Sequence, residues 1–157
     1  MYNLNQKSME QMEIQKIDFL IESKTKSNSR SEISVRNFKV MVDEPSPLGG
    51  TDLAPNPVEY ILCGLSGCIH ILAFKVANEM DIELKDLDIE IKGELNPEKL
   101  FGMPTKDRAG YQNIEIVLKP VFEATEEQKE KWLEIMQERS PVLDNLLNPT
   151  PVSITLV

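Results

Sequence analysis

NPVEYILCGLSGCIHILAFKVANEM, residues Asn56 to Met80, carries the strongest structural signal in the chain. Asn56 can cap a helix, and Pro57 suits its first position, where a missing N–H costs nothing. The spacing predicts a helix from there to about Met80. Its middle, Ile61 to Phe74, is apolar on every face, the mark of a helix buried all round. A chain of 157 residues can hardly surround such a helix by itself, so burial against a second copy of the subunit is expected.

Upstream, Asp43 to Pro57 (DEPSPLGGTDLAPNP) is too rich in Pro, Gly and Asp to be helix or central strand. Before it, Ile17 to Ser23 is apolar and β-like, and Lys24 to Ser31 has a turn composition. Ile33, Val35, Val40 and Val42, with Phe38 between them, mark a second strand region, so the two runs predict a hairpin. Residues 1–16 are polar and unpatterned. They are read as a loose arm ahead of one domain, 17–157.

Downstream, Leu87, Ile89 and Ile91 alternate with Asp88, Glu90 and Lys92, a strand with one wet face. Gly93 to Gly110 is read as a loop. Ile114, Ile116 and Leu118 mark the next strand. Thr125-Glu126-Glu127-Gln128 is a capping box that opens a helix with Trp132, Ile135 and Met136 on its apolar stripe. Ser140-Pro141 interrupts it, and Leu143, Leu146 and Leu147 suggest one more helical turn. Val152, Ile154 and Leu156 are expected to form a last strand. The order ββ-α-ββ-α-β predicts an α+β fold, a mostly antiparallel sheet packed on a central helix.

The formal net charge of -9 disfavours a phosphate backbone as partner, which argues against nucleic-acid binding. The N-terminal segment lacks the apolar core and cleavage site of a signal peptide, and the charge-free run Tyr60 to Phe74 is too short to span a bilayer. With two cysteines and no export signal, the expected location is the cytoplasm, and no membrane partner is expected.

Cys68 is the candidate centre of chemistry. A buried cysteine is commonly a small hydrophobe. Gly64, Ser66 and Gly67 beside it would suit either close helix packing or a narrow pocket. Cys63, five positions earlier, lies about 500° around the helix and on another face. With Cα atoms roughly 8 Å apart, the pair cannot close a disulfide within one helix, and Cys63 is read as core. His70, the single histidine, could act as a base but is more simply a satisfied core residue. Two cysteines and one histidine supply no convincing metal site, and no cofactor is expected.

DEPSPLGGTDLAPNPVEYILCGLSGC, Asp43 to Cys68, resembles the signature of the OsmC/Ohr family of osmotically induced and organic-hydroperoxide-resistance proteins. A Gly-Gly turn and an Asn-Pro step there lead into the helix bearing the reactive cysteine. ERSPVLDNLLNPTPV, Glu138 to Val152, resembles the family's segment around its second cysteine. The resemblance implies an intertwined homodimer with both central helices in a shared core. It also implies thiol peroxidase chemistry at Cys68, in which a thiolate attacks the O–O bond and becomes a sulfenic acid. The chain departs from the family at the second cysteine, whose place is taken by Ser140, so recycling would fall to an external thiol. The family's glutamate after the Asn-Pro step falls on Val58, with Glu59 one place later. Arg30 and Arg36 are the candidates for the family's thiolate-holding arginine. The partners implied are the protein itself, a small hydroperoxide or apolar ligand, and a thiol reductant. The other reading is a family member without turnover that binds a small apolar ligand or senses oxidants through Cys68.

Overall fold

The structure, a computed structural model, describes residues 16–157. Residues 1–15 of the expected arm lie outside the described residues. The chain divides into two compact units that meet in sequence at Asn56–Pro57.

The first unit holds a three-stranded antiparallel sheet, β1 (Glu22–Thr25), β2 (Ser31–Val35) and β3 (Phe38–Val42), in that order. The expected hairpin is present between β1 and β2, but the second run folds back on itself as a further hairpin. Val35 pairs with Phe38 across a two-residue turn, and Arg36 takes the left-handed φ of 54° that such turns ask of their first residue. This explains why Ile17–Ile21 form no strand. Glu22 pairs with Ser34, so β2 turns away one residue later and leaves the earlier segment without a strand partner among the described residues. Ile17, Phe19, Leu20 and Ile21 are all exposed.

The Pro- and Gly-rich loop that follows is organised by Asp43, which is fully buried. Its carboxylate accepts the backbone N–H groups of Glu44 at 2.9 Å, Thr51 at 3.2 Å and Leu53 at 3.2 Å, together with the Thr51 hydroxyl. These donors, the Thr51 hydroxyl foremost, hold the Asp43 carboxyl far below the usual carboxylate range. The Gly-Gly step is a steric requirement. A Cβ on Gly50 would lie 1.7 Å from the Glu44 carbonyl oxygen, and Gly49 takes a φ of 88°.

The second unit begins with the predicted helix α1, Pro57–Glu79, continues through β4 (Asp86–Glu94) and β5 (Asn113–Val121), and ends in α2 (Glu126–Arg139) and α3 (Pro141–Leu147). The antiparallel pair β4–β5 keeps the predicted alternation, with Leu87, Ile89 and Ile91 inward and Asp88, Glu90 and Lys92 exposed. Pro120 is tolerated in β5 because a two-stranded sheet gives each strand a free edge. The core gathers Ala73, Val76 and Ala77 of α1, Ile82, Leu84 and Leu87, and Trp132 and Met136 of α2. The predicted capping box on α2 is complete: Thr125 Oγ1 accepts the Gln128 N–H, and Gln128 Oε1 accepts the Thr125 N–H.

Several expectations need correction. Only one stripe of α1 is buried within the chain, at Leu65, Ile69, Ala73, Val76 and Ala77. Cys63 and His70 lie off that stripe and are exposed in the single chain, with the His70 ring against Phe74 at 4.9 Å. The helix has 23 residues and, by length and composition, is one that could cross a membrane, a test that core helices also pass. The charge-free run alone had suggested otherwise. Val152, Ile154 and Leu156 form no strand. They are almost fully exposed, because alternation makes a strand only where an edge is there to pair with it. The observed order is therefore βββ-α-ββ-α-α.

Candidate functional site

Cys68 projects from the middle of α1 and is half-buried. Ser140 separates α2 from α3. Pro141, lacking an N–H, cannot continue α2, and the backbone at Ser140 becomes extended with φ -83° and ψ 107°. Ser140 then caps α3, its Oγ accepting the Leu143 N–H at 3.2 Å. The residue is 2% exposed. Its Oγ lies 3.2 Å from the Cys68 Sγ, 72 residues away in sequence. The structure thus brings together the two positions that sequence comparison had paired.

Two anchors hold α2 against α1 and so set this contact. Trp132 donates its indole N–H to the Ala73 carbonyl at 2.9 Å, inside the core. One residue before Ser140, Arg139 forms a two-pronged ion pair with Glu79 at the end of α1. The hydrogen bond between them lowers the Glu79 carboxyl and raises the Arg139 guanidinium from their ordinary values.

A groove of about 660 Å³ opens beside Ser140. Ile69, Leu118, Trp132, Met136, Leu143 and Leu147 are among its apolar walls, and Lys129, Glu130 and Gln137 are polar members. Such a groove takes an apolar group, and Ser140 is part of its wall, while Cys68, in contact with Ser140, is not among the lining residues.

At the start of α1, Tyr111 donates its hydroxyl to the Val58 carbonyl at 2.9 Å. Burial and the charge of Glu59 raise the Tyr111 hydroxyl above its usual value. Its ring lies on Gly93, where an added Cβ would come within 2.4 Å of the ring. Sequence reasoning left Tyr111 unremarked and read Gly93 as the start of a loop, whereas β4 runs through Gly93 to Glu94. Glu59 stands nine residues before Cys68, roughly 13 Å along the helix axis. Arg30 and Arg36 belong to the first unit. Arg30 closes the β1–β2 turn, its carbonyl accepting the Lys26 and Ser27 N–H groups, and the Arg36 guanidinium lies 5.1 Å from the Phe38 ring centre. Among the described residues no cluster of three or more His, Cys, Asp or Glu could hold a metal ion.

The family model for OsmC-like proteins matches residues 50–155, and the chain belongs to that family. Its fold is shared by solved structures of low sequence identity. An OsmC-like protein from Mycoplasma pneumoniae superposes with a TM-score of 0.73 at 17% identity, over 86% of this chain and 91% of that one. An organic hydroperoxide resistance protein from Elizabethkingia anophelis gives 0.63 at 16% identity, over 87% and 92%. The organic hydroperoxide resistance protein OsmC from Legionella pneumophila gives 0.59 at 20% identity, over 83% and 89%. No curated protein sequence matches the chain.

Proposed function

We propose that this chain is a single-cysteine thiol peroxidase acting on hydroperoxides with apolar organic groups. The observation that carries the reading is the Cys68–Ser140 contact beside the apolar groove. The family assignment and the names of its structural neighbours point to the same chemistry. The Cys68 thiolate attacks one peroxide oxygen and the O–O bond breaks. The alkoxide leaves and takes a proton as the alcohol, and the sulfur, oxidised by two electrons, holds the other oxygen as sulfenic acid. An external thiol attacks that sulfur and releases water, and a second thiol resolves the mixed disulfide. The test is consumption of cumene hydroperoxide. Turnover is expected only with added thiol and not in Cys68→Ser. Equal consumption by both proteins would sink the reading.

The replacement of the family's second cysteine by Ser140 favours one other reading, a member without turnover that binds an apolar ligand or senses oxidants. Stoichiometric oxidation of Cys68 that added thiol never reverses would select it.

We also propose that the protein is a homodimer joined through α1. Ile61 and Ile71 of this helix are 42% and 68% exposed in the single chain. Between them, a Cβ on Gly64 or Gly67 would meet nothing, which leaves room for another backbone to approach. Sedimentation at micromolar concentration should give the dimer mass, and a folded monomer there would exclude this arrangement.

A further inference from the structure

We propose that Ser140 is a hydrogen-bond donor to the reacting sulfur, with its hydroxyl proton directed at Cys68 Sγ whenever that sulfur is a thiolate. The Ser140 oxygen has one proton to give and two lone pairs to receive with. One lone pair accepts the Leu143 N–H at the start of α3. The residue is 2% exposed, so the proton has little access to water, and the Cys68 sulfur lies 3.2 Å away. In the thiol form either atom can donate across this contact. In the thiolate form the sulfur has no proton, and only Ser140 can. The position taken by Ser140 therefore does more than lack a second sulfur: it stabilises the charged form of the first.

The backbone of α3 fixes the direction of this donor. The Leu143 N–H occupies one lone pair of the Ser140 oxygen, and on its other side the oxygen meets the Cys68 sulfur at 3.2 Å. The anchors at Trp132 and Arg139 keep the serine within reach. The same hydroxyl thus links the integrity of the α2–α3 junction to the reactivity of the thiol.

This inference rests on the reading of Cys68 as a reactive thiol, and its test uses no peroxide, so a failure of peroxidase turnover leaves it standing. The ultraviolet thiolate absorbance is followed against pH in a Cys63→Ser background, where the signal belongs to Cys68 alone. Ser140→Gly is the first variant, because glycine is well tolerated at a helix N-cap. Ser140→Ala is the second, with circular dichroism to verify folding. Both should shift the thiolate profile toward alkaline pH by about tenfold in proton concentration, the scale of a hydrogen bond to a charged group. Ser140→Thr, which keeps the hydroxyl, should restore the parental profile. Superimposable profiles for the parent and the folded Gly and Ala variants would overturn the proposal. So would a Thr variant displaced as far as Ala.

Discussion

Ser140→Cys is expected to give Cys68 an intramolecular disulfide and to end its dependence on a single oxidised state. The side-chain atoms of the two positions are already 3.2 Å apart, so modest rotation could bring two sulfurs to bonding distance. Strain-free closure requires Cβ atoms about 3.5–4.5 Å apart. After one equivalent of cumene hydroperoxide, intact mass should show one added oxygen in the parent. The variant should show the loss of two hydrogens. Excess oxidant should drive the parent to the irreversible sulfinic form, while the variant is protected. Stability separates the two redox states further. Reduced, the variant loses a good N-cap and should be about 1 kcal/mol less stable than the parent. Oxidised, it closes a ring spanning a sequence separation of 72, which constrains the unfolded chain by up to about 4 kcal/mol. The bond outweighs the cap, so oxidation should raise the melting temperature and reduction should lower it. No mass change in either protein would mean that Cys68 is not a peroxidatic thiol.

Trp132→Ala should cost about 3–5 kcal/mol, a large share of the 5–15 kcal/mol typical of a domain. The side chain is 3% exposed, its ring meets Phe122 edge-on at 5.2 Å, and its N–H is bonded to Ala73. Trp132→Phe keeps most of the apolar volume and should lose less, about 1–2 kcal/mol for the missing hydrogen bond and volume. Trp132 is the only tryptophan, so urea unfolding should be followed by circular dichroism rather than by its fluorescence. The alanine variant should also loosen the Cys68–Ser140 contact, since one of the two anchors that set α2 on α1 is gone. Its Ser140→Cys double variant should then form the disulfide less completely. An alanine variant within about 1 kcal/mol of the parent would show that α2 is held by other means.

The long helix, the alternating strands, the capping box and the break at Ser140-Pro141 were legible in the sequence because each is a local preference. Asn-Pro starts a helix, Thr-x-x-Gln caps one, proline ends one, and alternation sorts a strand's faces. Cys68 and Ser140 were legible too, as a pair of positions within a family pattern. What local sequence could not carry was whether a partner surface exists. Val152–Leu156 alternates as well as β4 does, yet it is exposed, with no strand among the described residues paired to it. Ile17–Ile21 fails for the same reason, one residue beyond the point where β2 turns away. The apolar run of α1 likewise specified a helix, while the packing of α2 and β4 decided which stripe is covered. Cys63 and His70 fell outside that stripe. The Cys68–Ser140 contact belongs to this second kind of information, since it joins residues 72 apart. Its distance is set by Trp132 on Ala73 and Arg139 on Glu79, contacts between helices that neither helix's own sequence encodes.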